Sequence, residues 1–222
     1  MSKQYDSEKD VLLLGAGGHA AVIAEALKKY YRQYNIIGIT DSDRKKTGQT
    51  VAGIPVIGTD ELLEELYKCK IRKAFISVGA VYDLRPRLDL FNLAKKVGFE
   101  FINVIHGTSV ISGYSELGCG NAVLANTVVN IGARIGNNCI LNTGSIVEHQ
   151  CIIGDNVHIA TGSVICGGAR IGDNCLVGAG ATVIQGVSIG ENSIIGAGSV
   201  VIGDIPPGAV AVGVPVKIIK KR

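Results

Sequence analysis

From Ile105 to Val201 every sixth residue is Ile, Leu or Val, a ladder that opens Ile105, Ile111, Leu117 and closes Ile189, Ile195, Val201. A helix repeats at about 3.6 residues and a strand at 2, so neither alone sustains this period. Four residues after most rungs stands a compact residue, as at Thr127, Ala133, Cys139, Ser145, Cys151, Ser163, Ala169 and Cys175. One residue after many rungs stands glycine, as at Gly118, Gly136, Gly154, Gly172, Gly178, Gly190 and Gly196. This is the hexapeptide repeat of a parallel β-helix: three units make a triangular coil of about eighteen residues, and the next coil lies roughly 4.8 Å above it. Residues eighteen apart then form interior columns, among them Ile135, Ile153, Ile171, Ile189 and Leu141, Ile159, Val177, Ile195. The compact residue is expected to fill the inside of each corner, and the glycine to supply its turn conformation.

Before Ile105 short apolar runs alternate with amphipathic stretches. Val11 to Leu14 reads as a buried strand, Gly15-Ala16-Gly17-Gly18-His19-Ala20 as a glycine-rich turn, and the residues to about Tyr31 as a helix. Asn35 to Thr40 is a second strand ending at Asp41-Ser42-Asp43, and Asp60 is placed to N-cap a helix over Glu61 to Lys68. Arg72 to Val78 is a third strand ending at Gly79, with another helix over roughly Asp83 to Val97. The pattern predicts a Rossmann-like α/β βαβ domain over residues 1–103 and an all-β parallel β-helix with a tail over 104–222.

The glycine turn matches G-x-G-x-x-A, and Asp41 closes the next strand. Glycines there let the backbone approach a pyrophosphate at the helix N-terminus, and an acid at the second strand end accepts hydrogen bonds from a ribose or base. A nicotinamide oxidoreductase needs about 150 residues and a second mononucleotide half, whereas the ladder begins after about a hundred. A nucleotide-linked small molecule is therefore expected here, with a ligand-free βα turn as the alternative.

Composition narrows the classes. A core of stacked aliphatics suits 47% hydrophobic residues without Trp, and thirty glycines in strict period argue against a flexible linker. A net charge of +3, with cations gathered only at Lys217, Lys220, Lys221 and Arg222, does not point to nucleic acid. No run of about eighteen apolar residues would span a membrane, and the polar start Met1 to Asp10 is not a signal peptide, so a cytoplasmic location is expected. The six cysteines, Cys69, Cys119, Cys139, Cys151, Cys166 and Cys175, lack metal-ligand spacing; three hold the compact corner position and read as small core residues.

The joining of Gly17-Gly18-His19 and Asp41-Ser42 to a hexapeptide ladder carrying Leu141-Asn-Thr-Gly-Ser-Ile-Val-Glu-His-Gln-Cys151, His158 and a closing Gly213-Val-Pro-Val-Lys217 resembles a known family. It is similar over nearly its whole length to the bacterial sugar O-/N-acyltransferases that include sialic acid O-acetyltransferases. Within these it most resembles the nucleotide-4-amino-4,6-dideoxysugar N-acetyltransferases, whose β-helix is left-handed. The resemblance implies a homotrimer, acetyl-CoA as co-substrate along the groove between neighbouring prisms, no metal, and a nucleotide-linked amino sugar held by the N-terminal domain. It implies His149 as catalytic base with Glu148 as supporting acid, and His158, Ala179 and Ala197 on the cofactor side. Substrate contacts would fall on Gly17, Gly18, His19, Asp41, Ser42, Gly79 and Asn142. One departure stands out: family members often carry a second acid directly after the histidine, and here that residue is Gln150.

Independently of the family, His149 lies two residues past the Val147 rung, at a corner where side chains point outward. An imidazole suits proton transfer near neutral pH, and an adjacent carboxylate can stabilise its protonated form. His19 is placed to contact a sugar or to cap the first helix, and His106 falls at the domain junction. The outward positions Val128, Ile140, Ile146, Ile152 and Val164 are too apolar for comfortable solvation, which agrees with a trimer. The expected activity is direct N-acetylation of a nucleotide-linked amino sugar. O-acetylation of sialic acid or a related sugar is the alternative, and a non-enzymatic β-helix binding protein would leave the N-terminal domain unexplained.

Overall fold

In the computed structural model, which describes residues 5–221, the chain up to Ala80 with Arg85–Val104 forms one unit, and Val81–Leu84 with Ile105 onward forms a second. The start of the polar opening and Arg222 lie outside the described residues.

The first unit is built on β1 (Asp10–Leu14), every residue of which is buried. It is followed by α1 (Gly18–Tyr30), β2 (Asn35–Thr40), β3 (Thr50–Val51), β4 (Ile54–Gly58), α2 (Leu63–Lys68), β5 (Lys73–Ile76), α3 (Arg85–Val97) and β6 (Glu100–Phe101). The sheet order is β3-β4-β2-β1-β5-β6, parallel except for the β3–β4 pair. That pair is a hairpin the sequence pattern does not predict. Ala52 (φ 48°) and Gly53 (φ 75°) both adopt left-handed backbone at its turn, the geometry that two-residue hairpins favour.

The expected cap at Asp60 is corrected. Asp60 lies inside a 3₁₀ turn over Asp60–Leu62 whose N-cap residue is Thr59, and α2 starts only at Leu63. The Asp60 carboxylate instead accepts a 2.6 Å hydrogen bond from Thr40 Oγ1, because β2 and β4 end side by side and bring these two residues together.

The second unit stacks mostly two-residue strands into three sheets of eight, six and five strands, parallel except for the last pair of the first sheet. Ile135 pairs with Ile153, Ile153 with Ile171 and Ile171 with Ile189, so the expected interior column is continuous. Leu141, Ile159, Val177 and Ile195 form the second column, and all eight side chains are buried. The compact residues fill the corners from inside: Cys139, Cys151, Cys175, Ser145 and Ser163 have no exposed surface.

The glycines after the rungs have a different role from the one expected. A Cβ on Gly136 would lie 2.7 Å from Gly154 O, and one on Gly178 would lie 2.5 Å from Ala197 N, so these glycines let successive coils stack closely. Left-handed backbone falls two residues later, at Gly120, Asn138, Asn156, Asn174, Gly180, Asn192 and Gly198.

The three outer faces differ. On the first, Ala122, Ile140 and Leu176 are buried within the chain itself, and Leu84, whose carbonyl accepts a 3.4 Å bond from Asn156 Nδ2, lies against it. Ile140 is therefore not an exposed position, contrary to expectation; the segment Val81–Leu84, distant in sequence, packs with this unit. The second face presents Val110, Val128, Ile146, Val164, Thr182 and Val200, with no charge among them. The third presents Glu116, Arg134, Ile152, Arg170 and Ser188, including an exposed Arg134–Glu116 ion pair at 3.5 Å. Beyond the ladder, Ala209–Gly213 joins the first face and pairs antiparallel with Val216–Lys221.

Candidate active site

His149 lies at the corner between the second and third faces, past the strand Ile146–Val147 and before Ile152–Ile153, and it is exposed as the sequence predicts. Its ring rests over Gly167, the residue one coil above: a Cβ there would come within 2.5 Å of His149 Cε1 and 2.6 Å of Nε2. Gly167 thus makes room for the imidazole. Sequence reasoning missed it, although its offset of eighteen from His149 is the signal that finds it.

The half-buried Glu148 is anchored from one coil below. Asn130 Oδ1 accepts the Ile131 N–H at 2.8 Å, which turns the Asn130 amide so that Nδ2 donates to Glu148 Oε2 at 3.0 Å. The same oxygen accepts the His149 backbone N–H at 3.3 Å. Among the described residues these are the partners of Glu148, so the carboxylate stands beside the histidine through its main chain and not through its ring.

His158, expected on the cofactor side, is on the first face and only 8% exposed. The same asparagine device orients it: Asn142 Oδ1 accepts the Thr143 N–H at 2.8 Å, leaving Asn142 Nδ2 to face His158 Nε2 at 3.1 Å. With the amide nitrogen as donor, Nε2 is an acceptor and the ring of a neutral His158 carries its proton on Nδ1. Ala179 and Ala197 are exposed, eighteen apart, in one column at the corner between the first and second faces. Among the described residues their N–H groups donate to nothing, while the Ala179 carbonyl accepts the Gly198 N–H at 2.8 Å.

The expected site residues of the prism therefore fall on two different corners. Asn142, Ala179 and Ala197 share one, with His158 on the adjoining face; His149 and Glu148 occupy another, and the uncharged second face separates them.

In the first unit a cleft of about 460 Å³ opens at the carboxyl ends of β1, β2, β4 and β5. Gly15, Asp41, Ser42, Lys46, Asp60 and Asp89 supply its polar side, and Val78, Leu90 and Leu93 its apolar side. Such a crevice is where open α/β sheets bind ligands, because strand order reverses there. Asp41 and Ser42 lie in it as expected, while Lys46 went unread in the sequence and Asp60 was expected only as a helix cap.

Asp41 is 8% exposed and heavily engaged. Its Oδ2 accepts the Ala16 N–H at 2.7 Å and Lys46 Nζ at 2.8 Å, and its Oδ1 accepts the Asp43 N–H at 3.0 Å. Burial pushes its carboxyl up, but the Lys46 ammonium and the two backbone donors outweigh burial and hold it below the usual carboxylate range. Asp60 goes the other way, raised by burial and by the Asp41 charge against the lowering bond from Thr40.

Gly15 (φ 105°) is required by the fold, since a Cβ would lie 2.4 Å from the Val78 side chain. Gly17, the N-cap of α1, and Gly18 are exposed, and a Cβ on either would meet nothing within 4 Å. The protein itself does not need glycine at those two positions. Gly79 and His19 are brought together: a Cβ on Gly79 would lie 3.4 Å from His19 Cβ. Among the described residues no cluster of His, Cys, Asp or Glu is placed to hold a metal ion, and no helix is long and apolar enough to cross a membrane.

Comparison with known proteins defines the class. Residues 10–92 match the PglD N-terminal domain, and residues 132–167 and 168–203 match the bacterial transferase hexapeptide (six repeats). Perosamine N-acetyltransferase from Caulobacter crescentus, solved as a histidine variant in complex with CoA and GDP-perosamine, is 37% identical over 96% of this chain and 97% of its own, with a TM-score of 0.89. The acetyltransferase domain of PglB from Neisseria gonorrhoeae, solved in complex with acetyl coenzyme A, is 33% identical over 95% of this chain and 99% of its own, with a TM-score of 0.86. WeeI from Acinetobacter baumannii is 25% identical over 95% of this chain and the whole of its own, with a TM-score of 0.78. The chain belongs to the hexapeptide-repeat sugar acetyltransferases with a PglD-type N-terminal domain. It is an acetyltransferase, with a Rossmann-like unit followed by a left-handed parallel β-helix.

Proposed function

We propose that the protein transfers the acetyl group of acetyl-CoA to the amine of a nucleotide-linked 4-amino-4,6-dideoxysugar. The observation that carries this reading is the exposed His149 imidazole, given clearance by Gly167 beside an anchored Glu148, in a chain 37% identical to an N-acetyltransferase solved with CoA and GDP-perosamine. The neutral amine attacks the thioester carbonyl while His149 takes the proton it sheds, and the tetrahedral intermediate collapses with CoA thiolate leaving. Glu148 keeps a negative charge next to the imidazolium as it forms. Transfer is direct, without an acyl-enzyme.

The N-terminal unit holds the nucleotide sugar in the cleft at the strand ends, with Asp41, Ser42 and the open Gly17-Gly18 helix start toward the ligand and His19 and Gly79 beside it. Acetyl-CoA runs along the corner of Ala179 and Ala197, whose unused N–H groups suit a ligand carbonyl, near Asn142 and His158. A trimer brings that corner of one copy against the His149 corner of the next, and it covers the apolar second face. Three equivalent sites result, and a cytoplasmic location follows from the donor. The test is to incubate the protein with acetyl-CoA and a panel of GDP-, UDP- and dTDP-linked amino sugars and follow thiol release. Turnover with at least one amino sugar is expected; release with none, or only with a hydroxyl acceptor such as sialic acid, would replace N-acetylation with another reaction.

A further inference from the structure

Left-handed backbone recurs at every sixth residue from Gly120 to Gly198. Asparagine occupies 126, 138, 156, 174 and 192, and glycine every other position but one. These two residues adopt positive φ at least cost, glycine for want of a Cβ and asparagine through its short amide. The exception is Gln150, at φ 58°. Its longer side chain carries the Cβ clash without asparagine's local compensation, so the repeat by itself disfavours glutamine there. Strain of this kind persists where a side chain serves a purpose.

The surroundings of Gln150 point to that purpose. It directly follows His149 and is exposed. The coil below carries Gly132, where a Cβ would lie 3.5 Å from Gln150 Cγ; the coil above carries Gly167 under the His149 ring and then Gly168, where a Cβ would meet nothing within 4 Å. Glycine thus borders Gln150 above and below, while His149 has Gly167 above it and Ile131 below, so the Gln150 side chain stands against bare backbone.

We propose that Gln150 is a substrate-contacting residue whose amide hydrogen-bonds a hydroxyl of the acceptor sugar next to the amine that His149 deprotonates; this rests on the reading of His149 as the base. An amide both donates and accepts, as a hydroxyl does. It is also uncharged. A carboxylate in its place, as family members often carry, could accept a hydrogen bond from a hydroxyl but could not donate one to it.

The test compares wild type with Gln150→Gly and Gln150→Asn, both residues native to this ladder, using the full chain, acetyl-CoA and whichever amino sugar of the panel turns over. Both variants are expected to melt at or above the wild-type temperature. The kcat/KM for the sugar should fall about tenfold in Gln150→Gly, the scale of one lost hydrogen bond, and less in Gln150→Asn, with the KM for acetyl-CoA unchanged. Wild-type kcat/KM in Gln150→Gly, or a lower melting temperature in both variants, would overturn the proposal, the latter by assigning Gln150 to the fold. His149→Ala separates the two readings. If it is inactive while Gln150→Gly is fully active, only the role of Gln150 falls; if it turns over normally, the base assignment falls and this proposal with it.

Discussion

The two units place functional groups by opposite rules. In the prism, neighbours in space are eighteen apart in sequence: Asn130 bonds Glu148 across eighteen residues, and Gly167 clears space for His149 across the same interval. In the α/β unit the bonds that shape the cleft span 25 residues for Ala16–Asp41, 20 for Thr40–Asp60 and 62 for Gly15–Ser77. A periodic ladder lets an outward side chain change with little effect on packing, because the interior column alone carries the coil. The cleft has no such division of labour. Asp41 both lines the cleft and ties β1 to β2, so binding and folding share one carboxylate.

The sharpest break in this comparison is expected at Ile153, which is 2% exposed in the middle of its column. Ile153→Ala should cost roughly 2–5 kcal/mol by chemical denaturation, the range for emptying a core site. A loss below about 1 kcal/mol would mean that the column is not a continuous core.

His149→Ala, outside any core, should reduce turnover about a hundredfold or more with an unchanged melting temperature, since the side chain is exposed. Gly167→Ala should lower kcat by a smaller factor, because its Cβ would displace the His149 ring without removing it. A drop in melting temperature for His149→Ala, with activity retained, would reverse the division between surface chemistry and interior stability.

Asp41→Ala should do both things at once. Losing the acceptor for Ala16, Asp43 and Lys46 should cost about 1–3 kcal/mol and weaken nucleotide-sugar binding, while calorimetry shows acetyl-CoA affinity unchanged. The pH dependence has a definite sign. Because the folded carboxyl titrates below its ordinary value of 3.8, its contribution is full above that value and is lost as the pH falls through the lowered one. The stability gap between wild type and Asp41→Ala should therefore be flat above about pH 5 and close in acid. A gap that widened in acid would contradict the bonding seen for Asp41.

The smallest effect concerns the cysteines. Burial pushes the Cys175 thiol up to about 12 and raises that of Cys151, whereas Cys69 and Cys119 are exposed. A thiol reagent on the native protein should modify Cys69 and Cys119 first and reach Cys151 and Cys175 only on unfolding, as peptide mass mapping would read.

How far the sequence could be read follows from the same contrast. The columns, the corner fillers, the outward His149 and the strand Asn35–Thr40 were legible because a period or an alternation maps directly onto a face. The β3–β4 hairpin escaped because its first strand is only two residues long, too short to show alternation. The glycines after the rungs are regular in the sequence, yet their role is close approach between coils and not the turn conformation expected of them. Composition cannot distinguish a glycine needed for positive φ from one needed where backbones nearly touch. Ile140 looked exposed by its register and is buried, and the repeat gives no sign that Val81–Leu84, outside the ladder, joins this unit.

By itself the sequence determined the prism, its interior columns and the outward placing of His149, because a hydrophobic repeat of fixed period leaves only one way to bury every rung. Tertiary structure alone decided which polar groups meet: the asparagines that turn Glu148 and His158, the Lys46–Asp41 pair in the cleft, the separation of His149 from Ala179 by a whole face, and the lone glutamine among left-handed corners. Hydrophobic burial is non-directional and follows from pattern, whereas a hydrogen bond needs its donor and acceptor at about 3 Å in a particular orientation, and only the folded backbone sets that.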